Sequence, residues 1–242
     1  MCKFFSFVTQ PSVSRERFYF DWKVRKDDKS GGMNSHSHIC AHFKLDEDKC
    51  NKWEYNPLTK RLKLDMQNDE IDDTERVKRW LRGLDWKTIV EPLVVKPIVH
   101  PFKLPKVNRP TKEQIDLLKA WDSVLASVGA SVWDSVWASV CDSVWASVWA
   151  SVWDSVWASV RDLGWDSVLA SVGASVLASA SAYTSSFFDV DYKHDLSSAI
   201  KLWESGLVPS FDGQTWRLHS GEKAEIVCEW TPEIGQKERN DA

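Results

Sequence analysis

Residues 121 to 180 are a tetrapeptide repeated fifteen times without a gap, from Trp121-Asp122-Ser123-Val124 to Leu177-Ala178-Ser179-Ala180. A fixed short period gives every copy nearly the same surroundings, so the segment must build an element whose surface recurs along its length. The third position is Ser except at Leu163, and the fourth is Val except at Gly164 and Ala180. Those two positions carry the structural demand. The first is Trp in eight copies and otherwise Leu, Gly, Cys or Arg, while the second alternates between Asp and Ala. Gly or Arg in place of a packed Trp would leave a cavity or an unpaired buried charge, so the first position is expected to face solvent or a tolerant partner.

Two geometries compete. On an α-helix a step of four residues advances about 400°, so each stripe drifts about 40° per copy. Two such helices could not keep one seam in contact for sixty residues. On a β-solenoid, alternate residues point the same way, with Val and Asp/Ala on one face and Trp and Ser on the other. Ala-Ser-Val-Trp looks like a pentapeptide-repeat unit shortened by one residue. The N-terminal flank favours helix. Thr111-Lys112-Glu113-Gln114 is a capping-box start, Ile115, Leu118 and Trp121 or Asp122 follow at helical spacing, and no Gly or Pro intervenes before the first copies. An interruption is expected at Arg161-Asp162-Leu163-Gly164, where the motif breaks.

The net charge of −4 hides an asymmetry. Residues 1–110 come to +6, while 121–180 and 181–242 each come to −5. A basic head on an acidic repeat and tail suits self-association or an acidic partner, but falls short of a nucleic-acid footprint. Cys2, Cys40, Cys50, Cys141 and Cys228 are odd in number and contain no CxxC pair, and read as reduced thiols of a cytoplasmic protein. The opening Met1 to Val8 is too short for a signal peptide. Six Asp between 122 and 166 make the repeat a poor membrane span.

Both ends read as folded. Residues 3–9 and 17–24 alternate as a β-hairpin would, with Phe18, Phe20 and Trp22 on one face and Tyr19 and Asp21 on the other. A helix over 35–44, a second hairpin around Asn56-Pro57-Leu58-Thr59, and a helix capped by Asp73-Thr74 and stopped by Gly83 complete the head. After the repeat come a helix over 195–204, an Asp212-Gly213 turn, and antiparallel strands over 216–219 and 224–230. The chain is therefore expected to be α+β. A small head (1–91) and a Pro-rich connector (92–110) lead into a repeat rod (111–182), α-helical in preference to β-solenoid. A helix-plus-β-hairpin module (183–232) and a disordered tail (233–242) follow.

His36, His38, Cys40 and His42 form the one dense ligand cluster in the sequence. On a helix His38 and His42 share a face, and His36 and Cys40 the next one, so zinc could be held with Cys50 or Cys2 as fourth ligand. Cys2 is also a nucleophile candidate, since Met-Cys before a strand is similar to the start of N-terminal-nucleophile amidotransferases, although Lys3 stands where that family has Gly.

The repeat, Tyr55-Asn56-Pro57-Leu58-Thr59-Lys60 in the head, and Gly206-Leu207-Val208-Pro209-Ser210-Phe211-Asp212-Gly213 with Trp216-Arg217-Leu218-His219 in the tail carry a wider resemblance. With these the chain resembles a group of bacterial and bacteriophage proteins in which Asp-Ser-Val and Ala-Ser-Val runs sit between two folded ends. That resemblance implies architecture and a microbial cytoplasmic setting, and attaches no activity. The functional expectation is a non-enzymatic interaction protein, with Trp133, Trp137, Trp145, Trp149, Trp153 and Trp157 offering aromatic surface for self-association or a protein partner. The competing expectation is a metal-binding or thiol-dependent enzyme domain at the N-terminus.

Overall fold

The computed structural model describes residues 5–20, 35–89, 92–128, 132, 134, 136, 152–158 and 166–232. The described residues are mixed α+β, with two separate three-stranded antiparallel sheets. They divide into two compact units: one of 1–98, 140–153 and 187–190, the other of 99–139, 154–186 and 191–242. The connector is shared between them, residues 92–98 going with the first unit and 99–110 with the second.

In the first unit, strands β1 (Phe5–Thr9), β2 (Asn51–Asn56) and β3 (Arg61–Met66) lie in the order β1-β2-β3. The β2–β3 turn follows from its residues: the Asn56 side-chain oxygen accepts the N–H groups of Leu58 at 2.9 Å and Thr59 at 3.1 Å. The expected pairing of 3–9 with 17–24 is present among the described residues as one antiparallel bridge, Val8 with Tyr19, while β1 pairs along its whole length with β2, from Phe5 opposite Tyr55 to Thr9 opposite Asn51. The alternation of 18–20 also serves packing. Phe18 and Phe20 turn to Trp80, while Tyr19 faces Phe43. Asp21 and Trp22 lie outside the described residues.

Helix α1 (His36–Phe43) is capped by Ser35, whose side chain accepts the His38 N–H. Helix α2 (Thr74–Arg82) buries Val77 and Leu81 and is followed by the short α3 (Trp86–Ile89). Asp73 precedes α2 as expected but does not cap it. Its carboxylate turns inward to Thr9 Oγ1 at 3.3 Å, Asn51 Nδ2 at 3.1 Å and the Arg76 guanidinium, and Asp72 takes the Thr74 N–H instead. A buried carboxylate needs several donors, and the sheet edge supplies them. Gly83 stops α2 with an ordinary right-handed φ of −89°.

The second unit opens with a 3-10 turn at Pro101–Lys103 and helix α4 (Lys112–Val128). The capping box is reciprocal: Thr111 N–H donates to Gln114 Oε1 at 2.9 Å, and Gln114 N–H to Thr111 Oγ1 at 3.3 Å. Helix α5 (Asp166–Ser185) closes the repeat, and α6 (Ser197–Glu204) precedes the meander β4 (Val208–Phe211), β5 (Trp216–Ser220) and β6 (Glu225–Trp230). β4 lies beyond what the local pattern showed, because Pro209 obscures it. Tyr183 stacks on Trp203 at 5.3 Å, and the Val99 peptide joins them, its N–H donating to Tyr183 Oη and its carbonyl accepting from Trp203 Nε1.

Every described residue of the repeat is helical, and every described strand lies outside it. Among the described residues, no helix is long and apolar enough to cross a membrane. The break at 161–164 lies outside the described residues.

Candidate functional site

The repeat is the element whose chemistry recurs, and its near-constant fourth position is buried in most of the described copies. Val132, Val136, Val152, Val156 and Val176 are all buried. Val128, Val132 and Val136 form one row, four residues apart, lining a closed cleft with Tyr192, His194 and Leu196. Buried Ser179 at the third position answers its own helix backbone, its Oγ donating to the Ser175 carbonyl at 3.0 Å. Ser175 Oγ accepts the Phe211 N–H at 2.8 Å and so ties α5 to β4.

The first position is not uniformly outward. Trp121 is fully buried, whereas Leu177 is 38 % exposed. The drift of a four-residue step around a 3.6-residue helix is the cause, since it carries the same position from the packed side to the open side. Among the partner-binding candidates, Trp153 and Trp157 are half-buried on the helical segment 152–158, flanking exposed Asp154. Trp133, Trp137, Trp145 and Trp149 lie outside the described residues.

The histidine cluster sits on α1 as expected but points in several directions. His36 is buried with Nε2 at 2.9 Å from the Trp53 carbonyl, and its Nδ1 lies 3.9 Å from Asp65. His38 Nδ1 meets Ser35 Oγ at 2.7 Å, and His42 lies edge-on to the Phe43 ring. Cys40 is buried beside Cys50, with Val8 and Ile39 around them. The hydrogen bond shared by the two thiols lowers the Cys40 pKa; the same bond and burial push the Cys50 thiol up. Cys50 also donates to the Asp46 carbonyl at 3.2 Å. Among the described residues, no three His, Cys, Asp or Glu side chains are placed to hold a metal ion. Cys2 lies outside the described residues.

Two arrangements escaped the sequence reading. On β4 and β5, Ser210 Oγ lies 2.7 Å from His219 Nε2, and His219 Nδ1 lies 2.9 Å from the Ala224 carbonyl. The pairing resembles a nucleophile and base, yet Ser210 is fully buried and its hydroxyl presents no face to a substrate. Its product is a neutral histidine that locks two strands. On the head, Phe18 stacks on Trp80 at 4.0 Å, and the Arg76 guanidinium lies 4.3 Å above the Phe18 ring. These residues line an open groove of about 410 Å³ together with Arg15, Glu16 and Arg79. Arg15 and Arg79 are some sixty residues apart in sequence, so no local motif announces the groove.

Compared with family models, curated proteins and solved structures, the chain matches none.

Proposed function

We propose that the chain is a non-enzymatic interaction protein of the cytoplasm whose Trp-rich repeat mediates self-association or binds a protein partner. The observation that carries this reading is the segment 152–158, where Val152 and Val156 are buried while Trp153 and Trp157 keep part of their ring surface at the boundary and Asp154 is exposed. Valine anchors the helix, and the half-buried indoles keep part of their area at the surface. The tandem sequence returns Trp in eight copies, and repetition of a binding side chain converts weak contacts into avidity. Two nucleophile-bearing pairs, Ser210–His219 and Cys40–Cys50, are closed off from solvent, which supports a binding role over a catalytic one.

Sedimentation velocity of the full chain over a wide concentration range tests the proposal. Self-association or a stoichiometric protein complex that weakens in Trp153→Ala/Trp157→Ala is the expected result. A chain that stays strictly monomeric and retains no partner would sink it.

A further inference from the structure

We infer that Cys40 and Cys50 are a modification site, where a hydroperoxide joins the two sulfurs as a disulfide that ties the end of helix α1 to the start of strand β2. The inference stands apart from the self-association reading, since it concerns the head alone. Local turns bring the pair together. Cys40 lies on the buried side of α1 with His36 and Ile39. Lys44 ends the helix in the left-handed region at φ 55°, which reverses the chain, and the Leu45 N–H closes the turn on the Cys40 carbonyl at 2.8 Å. The 3-10 turn Glu47–Lys49 then carries the chain back to Cys50, whose N–H donates to the Glu47 carbonyl at 3.3 Å and whose Sγ donates to the Asp46 carbonyl at 3.2 Å. Both thiols end in one apolar cluster with Val8 and Ile39, walled by Tyr19, Phe43 and Leu45, where Cys40 is 2 % and Cys50 0 % exposed. There they share a hydrogen bond.

The two thiols divide the work. Cys50 has one proton and two acceptors for it, the Asp46 carbonyl and the Cys40 sulfur. Turned to Cys40, that proton steadies a Cys40 thiolate. Burial and Glu47 oppose the charge, Lys52 and His36 favour it, and the net shift of the Cys40 pKa is downward from 9.0 while that of Cys50 is upward. Cys40 is therefore the attacking sulfur. Its thiolate bonds to one peroxide oxygen, the O–O bond breaks, and the released hydroxide takes up the proton Cys40 gave up, leaving water and a sulfenic acid on Cys40. The Cys50 sulfur then attacks the Cys40 sulfur, the S–O bond breaks, and hydroxide departs with the Cys50 proton as a second water. The thiols together lose two electrons and two protons, and one hydrogen peroxide takes up both. Enclosure favours the disulfide over further oxidation, because the sulfenic sulfur meets the neighbouring thiol before a second peroxide arrives. The same packing keeps bulky reagents out, so the oxidant that fits is a small, uncharged hydroperoxide, and the pair stays reduced in a reducing compartment.

Peptide mapping of the full-length chain tests the site. The chain is prepared under reductant, freed of it, exposed to hydrogen peroxide while folded, cleared of peroxide with catalase, and only then unfolded and alkylated. The expected result is a cross-linked Cys40–Cys50 peptide lighter by two hydrogens, loss of alkylation at both residues, and recovery of both on adding a dithiol. Cys50→Ala should halt the reaction at a Cys40 sulfenic acid, captured by a 1,3-dione, whereas Cys40→Ala should leave Cys50 unlabelled. The wild-type map decides the bond by itself should either variant fail to fold. Alkylation of both thiols as complete after peroxide as before it, a sulfinic acid at either one, or a disulfide joining Cys40 or Cys50 to Cys2, Cys141 or Cys228 would overturn the site. Dione label on Cys50 in Cys40→Ala as fast as on Cys40 in Cys50→Ala would overturn the choice of Cys40 as the attacking sulfur.

Discussion

Trp216 donates its indole N–H to the Asp122 carboxylate at 2.8 Å, fastening the first copy of the repeat to the C-terminal sheet. Trp216 is 1 % exposed and stacks on Phe211, so its N–H has no route to water. The Lys119 ammonium lies 5.9 Å from the Trp230 ring on the same sheet. Asp occupies the same repeat position at 134 and 154, where it is exposed. One residue type in one repeated position is thus a structural anchor in the first copy and a solvated charge further on.

Asp122→Ala should therefore cost about 1–3 kcal/mol, because it strands a buried donor. For a chain of this size that is a fall in Tm of about 2–4 °C per kcal/mol. Asp134→Ala should stay within about 0.5 kcal/mol of wild type. Thermal melts of the two variants check this, and equal losses would contradict the anchor.

Asp69 should carry part of the acid sensitivity of the head. Burial pushes its carboxyl up, but hydrogen bonds from Ser12 Oγ, Ile71 N–H and Ser12 N–H outweigh it, and the net shift is downward from 3.8. A carboxyl depressed in the fold stabilises it above its unfolded value, and that contribution is lost as pH falls through the folded value. Asp69→Asn should be less stable than wild type at neutral pH, and the gap should close below about pH 3.8, measured by urea unfolding. A gap that holds constant from neutral pH to pH 2 would count against the carboxylate's role.

His219 works in a higher window. Burial lowers its pKa below 6.5, partly opposed by its bond to the Ala224 carbonyl and reinforced by Arg217. The folded state keeps the ring neutral while the unfolded chain takes up a proton, so the stabilisation is complete above 6.5 and declines as pH falls from there toward the folded value. The stability advantage of wild type over His219→Gln should shrink on acidification below 6.5, followed as urea midpoints at steps of pH.

Neighbouring positions of the last copies should differ sharply. Val176 is fully buried and Leu177 is 38 % exposed. Val176→Ala should cost about 1–3 kcal/mol through lost burial and a residual cavity, whereas Leu177→Ala should cost at most about 0.5 kcal/mol. Chemical denaturation distinguishes them, and a larger loss at Leu177 would mean that α5 packs the other way round.

Features built from near neighbours were legible in the chain itself. The Thr111–Gln114 capping box, the Asn56 turn, and the helices around His36–Phe43 and Thr74–Arg82 each rest on residues within one turn of one another, so local chemistry decides them. The constancy of Ser and Val likewise marked the positions under demand before any packing was visible. Other features join residues whose separation in sequence carries no signal. Examples are the pairing of β1 with β2, the inward turn of Asp73 toward Thr9 and Asn51, and the meeting of Arg15 with Arg79 around Phe18 and Trp80. The repeat divides in the same way. Its sequence alone determined that Ser and Val recur in nearly every copy, while the tertiary structure decided that Trp121 is core and Leu177 is surface, because a four-residue step on a 3.6-residue helix turns each copy to a new direction and only the neighbouring elements determine which directions are covered.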